Sequence, residues 1–262
     1  MSFDSLIPFF AAIAAGTVNS VAGGGTLLTF PALMATGQAA LIANATSTVA
    51  LFPGSASSSW GYRSEITGSR HVLVPLMLLG VAGGVLGSYL LLVTPAKAFD
   101  HIVPFLVLGA TLLFVAQEPL SRWLRARSGA DKPEHPAAGD VTTLRLTPAL
   151  VAGAFLTAVY GGYFGAGIGI VTLAMLSFMG LRNIHQMNGV KNVYALSTNA
   201  VAAAIFITKG LVDWRLALFM AAGSVFGGYA GAGIARKIGQ KNVRRIVIGI
   251  GFVLTASLLL RH

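Results

Sequence analysis

Lys191 is the residue of this 262-residue chain whose position most needs a chemical reason. It is the one charged side chain in the interior of a long apolar segment, 184–208. An ammonium in hydrocarbon is costly, and ionisable groups at membrane depth usually serve function. The acids are Asp4, Glu65, Asp100, Glu118, Asp131, Glu134, Asp140 and Asp213, and all fall at segment ends or in a polar stretch. None can partner the lysine at depth. That leaves deprotonation, bonds to freed backbone carbonyls, snorkelling outward, or the holding of an anionic substrate. Asn188, Asn192, Ala195 and Asn199 share its helical face. An earlier segment carries Asn44, Ser47, Thr48, Leu51 and Ser55 at the same spacing. Such stripes either join helices or line a polar path. The lysine favours the path.

Two glycine clusters are the second candidate. Asn19-Ser20-Val21-Ala22-Gly23-Gly24-Gly25-Thr26 separates two short apolar runs, and Tyr163-Phe164-Gly165-Ala166-Gly167-Ile168-Gly169 does the same later. Glycine lets a helix stop and restart. Unwound backbone at membrane depth must be buried in protein or line a cavity. A half-helix that restarts there points its N–H groups and positive dipole end at the break, which suits an anion. The competing reading is that these glycines only let helices pack closely. Tyr160 and Tyr163 stand beside the second cluster, where either could reach a substrate.

Enzyme chemistry finds little to work with. There is no cysteine, so thiolate nucleophiles, thiolate metal sites and disulfides are excluded. His71, His101, His135, His185 and His262 sit in loops or near segment ends, and no HExxH pattern occurs. Gly165-Ala166-Gly167-Ile168-Gly169 lacks the βαβ context of a dinucleotide fingerprint. The expectation is no enzyme, no cofactor and no metal.

The elements that must position these residues are membrane helices. Hydrophobic residues make up 55% of the chain and charged ones 10%, against about 25% charged in soluble domains. Mean hydropathy is +0.76. The net charge of +10 comes from basic residues at segment ends, which points to topology and away from nucleic acid. The N-terminus has an acid where a signal peptide would have a base. Trp60, Tyr62, Trp123 and Trp214 read as interfacial anchors. Apolar segments are expected at about 5–21, 26–35, 39–62, 72–93 and 99–116, then 148–164, 170–179, 184–208, 214–235 and 243–260. The ten-residue run 26–35 rises about 15 Å as a helix, half the hydrocarbon core, so it reads as a half-helix or a re-entrant arm.

The two sets of five match at an offset of 144 residues. That offset pairs Asn44 with Asn188, Gly23 with Gly167, Gly25 with Gly169, Gly83 with Gly227, Gly84 with Gly228 and Lys97 with Lys241. The expected fold is an all-α integral membrane protein with two repeats of about five elements, 1–120 and 148–262, joined by a cytoplasmic linker, 121–147. Each repeat crosses the bilayer an odd number of times, so the repeats are inverted. With the linker inside, thirteen Lys/Arg lie on its side and four on the other. The positive-inside rule then puts both termini outside.

At this point the chain resembles the sulfite exporter TauE/SafE family, also called the toluene sulfonate uptake permease family. The resemblance rests on Gly23-Gly24-Gly25-Thr26-Leu27-Leu28-Thr29-Phe30-Pro31, the helix from Asn44 to Thr48, and Gly165–Gly169. Lys209-Gly210-Leu211-Val212-Asp213-Trp214 and Gly227-Gly228-Tyr229-Ala230-Gly231-Ala232-Gly233 complete it. It implies a bacterial-type inner-membrane transporter of small sulfur-containing anions such as sulfite, thiosulfate or organosulfonates. Ile168 interrupts the second cluster where the family often has consecutive glycines, making that half tighter or more apolar.

The expectation is therefore a secondary transporter working by alternating access on a small anionic substrate. An anion channel, and a non-transporting membrane receptor or assembly protein, are the alternatives. The candidate substrate-binding residues are Lys191, Asn188, Asn192, Asn44, Ser47, Thr48, Asn19, Ser20, Gly23, Gly24, Gly25, Thr26, Gly165, Gly167, Gly169 and Tyr163.

Overall fold

Glycine breaks and polar caps cut the apolar sequence into helices. The computed structural model describes residues 3–21, 23–67, 69–127, 147–178, 181, 183–238 and 240–260, and among these there is no strand. The first half holds α1 (Phe3–Val21), α2 (Thr26–Ala35), α3 (Ala40–Gly61), α4 (Arg70–Val93) and α5 (Ala96–Arg127). A 3-10 turn, Arg63–Ile66, joins α3 to α4. The second half holds α6 (Pro148–Tyr163), α7 (Ile168–Phe178), α8 (Ile184–Thr208), α9 (Trp214–Ile238) and α10 (Gln240–Leu260).

Local chemistry explains the boundaries. Thr147 caps α6, with its hydroxyl 3.4 Å from the Leu150 N–H and Pro148 in the first turn. Asn183 caps α8 by accepting from the His185 N–H at 2.9 Å. Asp213 caps α9 through the Leu216 N–H at 3.1 Å. Gly210, at φ 68°, ends α8, where the Leu211 N–H reaches back to the Phe206 carbonyl at 3.1 Å.

Among the described residues, three stretches are long and apolar enough to cross a membrane by length and composition: Arg70–Val93, Ala96–Ala116 and His185–Thr208. Shorter apolar helices include Thr26–Ala35 and Ile168–Phe178. α3 has the length, but serine and threonine dilute its apolar content. One boundary differs from the sequence expectation. α5 runs on to Arg127, through Pro119 and into residues expected in the linker. The charges Arg122, Arg125 and Arg127 suit an exposed helix end as well as a loop, so composition alone did not separate the two. The rest of the expected linker, 128–146, lies outside the described residues.

Polarity is arranged for a lipid solvent. Ser47, Thr46, Ser88, Thr111, Thr172 and Ser224 are buried, whereas Leu78, Tyr89, Phe105, Leu218, Phe226 and Val253 are exposed. Trp60 and Trp214 are also exposed, and the Arg63 guanidinium sits 4.6 Å from the centre of the Trp60 ring. The Trp123 side chain lies outside the described residues.

Helix packing repeats between the halves. The largest interfaces are α1 on α9 and α6 on α4, which correspond to each other when the elements are shifted by five. The α3–α9 interface corresponds in the same way to α8–α4. Close glycine approaches repeat too. A Cβ on Gly84 would lie 2.9 Å from the Thr198 carbonyl, and one on Gly228 would lie 2.6 Å from the Gly54 carbonyl. Gly84 and Gly228, like Gly54 and Thr198, stand 144 positions apart.

The helix ends are grouped consistently. The Gln38 amide donates to the Asp213 carboxylate at 2.6 Å, which sets the α2–α3 connection beside the α8–α9 connection. Gly189, near the start of α8, faces Ile66 in the turn after α3. α1 and α9 run in the same direction, since Gly223 meets Phe9 and Gly227 meets Ile13.

Candidate functional site

The two glycine breaks meet inside the helix bundle. Gly23 (φ 82°) and Gly24 (φ 101°) separate α1 from α2. Gly165 (φ 76°) and Gly167 (φ 81°) separate α6 from α7. Gly23 and Gly167, equivalent by sequence, adopt nearly the same left-handed backbone, which a residue with a Cβ resists. A Cβ on Gly23 would lie only 2.5 Å from the Gly169 Cα. The N-terminal ends of α2 and α7 are thus brought together, each beside the C-terminal end of the helix before it.

Stopping a helix leaves carbonyls without intrahelical partners. Those of Asn19 and Tyr163, again 144 positions apart, are served from the opposite half. The Asn44 amide donates to the Tyr163 carbonyl at 3.1 Å. The Lys191 ammonium donates to the Asn19 carbonyl at 3.0 Å and to Asn188 Oδ1 at 3.0 Å. Asn19 also holds the restarting helix, because its Oδ1 accepts from the Gly25 N–H at 2.7 Å. One asparagine therefore links α1, α2 and α8.

Lys191 is 1% exposed. Both its acceptors are oxygens of no formal charge, and its third N–H has no partner among the described residues. The Asn192 amide nitrogen is likewise buried without a partner. Native structures rarely leave such donors unsatisfied, and ordered water, an ion or a functional role is the usual explanation.

A small cavity of about 40 Å³ opens beside these groups. Its wall is Asn19, Gly23, Thr26, Thr48, Leu51, Ser55, Ser58, Phe164, Gly165, Ile168, Gly169, Lys191, Asn192, Ala195 and Asn199. Among the described residues, Lys191 is the only charged one on it. The wall combines both glycine breaks with both polar stripes. Among the described residues no cluster of three His, Asp or Glu is placed to hold a metal ion.

Eight of the residues singled out in the sequence line this cavity: Asn19, Gly23, Thr26, Thr48, Gly165, Gly169, Lys191 and Asn192. The others stand behind them. Asn188 holds the ammonium, and Asn44 holds Tyr163. Ser47 bonds Thr29 at 2.6 Å, and Ser20 bonds the Thr17 carbonyl at 2.9 Å. A Cβ on Gly24 would meet the Phe114 ring, one on Gly25 the Ala15 carbonyl, and one on Gly167 the Leu113 side chain. The Tyr163 hydroxyl reaches Thr94 Oγ1 at 3.3 Å, while the Tyr160 hydroxyl donates to the Ala166 carbonyl at 2.6 Å. Phe164 and Ser58 line the cavity without having been singled out. For Ser58 the signal was present, since it continues the Thr48, Leu51, Ser55 face by three residues.

Comparison with known proteins agrees with this architecture. The family model described as sulfite exporter TauE/SafE matches residues 8–258. A probable membrane transporter protein of Sinorhizobium is 28% identical over 96% of this chain and 90% of its own length. One from Haemophilus influenzae is 26% identical over 97% and 93%, and one from Escherichia coli K12 is 28% identical over 96% and 88%. With matched glycine breaks, matched polar helices and a family match spanning nearly its whole length, the chain belongs to the sulfite exporter TauE/SafE family of membrane transporters.

Proposed function

We propose that this protein is a secondary transporter that carries a small sulfur-containing anion, of the sulfite, thiosulfate or organosulfonate class, across a bacterial-type inner membrane. The observation that carries this is Lys191: a buried ammonium on a cavity wall, bonded among the described residues only to neutral oxygens. No other described residue lining the cavity compensates its charge. An anion in the cavity would supply the missing charge and accept the free N–H. Asn192, Asn19, Thr48 and the restarting ends of α2 and α7 add neutral donors. Among the described residues the wall offers no carboxylate or imidazole base, which favours transport over turnover.

Inverted repeats working by alternating access fit the packing. α3 runs in the same direction as α9, as the Ser224 bond to the Ala50 carbonyl at 2.7 Å and the Ser58 bond to the Gly228 carbonyl at 3.3 Å indicate. α4 follows α3 through a short turn, so α4 and its equivalent α9 run in opposite directions. With the linker in the cytoplasm, the Gln38–Asp213 end lies outside, together with both termini. Rocking of one half against the other would then open the central cavity to each side in turn.

The test uses purified protein in liposomes on a solid-supported membrane, with jumps of sulfite, thiosulfate, sulfoacetate, sulfate, chloride and acetate. A saturable current for a sulfur anion, lost in Lys191→Ala, is expected, with isotope counterflow separating a carrier from a channel. An undiminished current in the mutant would remove Lys191 from the site. No current and no isotope flux for any sulfur anion would end this reading.

A further inference from the structure

One described group on the cavity wall can carry a full positive charge, and its surroundings decide what that charge can balance. Among the described residues, Lys191 is the single charged one on the wall. The restarting helices α2 and α7 bring partial positive charge, but each starts where α1 or α6 ends, and a helix C-terminus carries the opposite partial charge. The structure shows this offset in use. The Asn19 carbonyl, at the end of α1, faces the ammonium, and the Gly25 N–H, at the start of α2, is already taken by Asn19 Oδ1. The helix ends therefore add little net charge. Leu51, Phe164, Ile168 and Ala195 form an apolar part of the wall.

We propose that this site selects singly charged anions over doubly charged ones of the same size. The inference rests on the anion-transport reading and narrows it. A monoanion beside Lys191 makes a neutral pair, whereas a dianion leaves one negative charge buried against apolar side chains. For an organosulfonate, the sulfonate takes the ammonium and the Asn192 amide, and the remainder of the molecule faces the apolar wall.

The experiment measures binding of two nearly isosteric probes to the purified full-length protein: 2-hydroxyethanesulfonate, with one charge, and sulfoacetate, with two. Wild type should bind the monoanion at least about tenfold more tightly. Adding a second cation to the wall by Asn199→Lys should shift the ratio toward sulfoacetate by a similar factor. Asn199 is a half-buried wall residue, and Thr48→Lys serves as the second variant if Asn199→Lys does not fold. Equal or tighter binding of sulfoacetate by wild type would overturn the charge selection while leaving anion transport standing. Binding of neither probe, with no flux of any sulfur anion, would overturn both.

Discussion

The two breaks in this protein solve one backbone problem with different chemistry. In the second half the freed Tyr163 carbonyl is served by the neutral amide of Asn44. In the first half the equivalent Asn19 carbonyl is served by the ammonium of Lys191. Asn44 shows that a carbonyl at such a break can be satisfied without charge. The charge at Lys191 is thus surplus to the structural task, and on the anion-transport proposal it serves the substrate. On that proposal, comparing the halves separates what the fold needs from what the substrate needs.

The strongest way to break the comparison is at Gly23 and Gly167. Both have φ near 80°, so alanine at either position incurs backbone strain of about 1–2 kcal/mol. At Gly23 the new Cβ also meets the Gly169 backbone at 2.5 Å, whereas at Gly167 its nearest neighbour is at 3.6 Å. Gly23→Ala should lose most folded yield in detergent, and Gly167→Ala should retain it with a lowered unfolding temperature. Equal losses would mean that the contact between the breaks does not matter.

Next in size is Lys191→Gln, which keeps a donor and removes the charge. Transport should fall about a hundredfold while the unfolding temperature stays near that of wild type. A matching collapse of the fold would make the lysine structural, like Asn44. The mirror experiment is Asn44→Ala, which removes the donor to Tyr163. An unsatisfied buried carbonyl costs about 1–3 kcal/mol. Thermal unfolding should register that cost, and the ranking of anions in flux assays should not change.

The smallest effect is expected at Ile168. Its side chain fills the space beside Gly161 and lines the cavity at the position equivalent to Gly24. Ile168→Gly makes the second break resemble the first and removes apolar wall. Bulkier organosulfonates should gain a few-fold in relative flux, and unchanged selectivity would show that the isoleucine serves packing alone.

Much of this arrangement was legible in the residues. The short helix at Thr26–Ala35 has the bounds that the glycines and Thr36-Gly37 implied, because glycine changes backbone freedom locally. The polar stripes were legible because helical periodicity fixes which side chains share a face. What lay beyond reading was which groups meet across elements. Nothing local tells that Lys191 reaches the Asn19 carbonyl, 172 residues away, or that Gly23 touches Gly169. Those contacts depend on how the two halves are docked. Asn188 and Asn44 were read as substrate ligands because they lie on the right face, yet both are occupied in holding other groups in place.

The pairing of α1 with α9 and of α6 with α4 has a consequence for biogenesis. α1 rests against a helix that is made only after the ribosome has passed Trp214. Until then α1 lacks its largest interface, and its glycine break stays uncovered until α7 brings Gly169 against Gly23. The two halves are thus not independent units of assembly. A nascent first half is unfinished material, and its packing is completed only by the second.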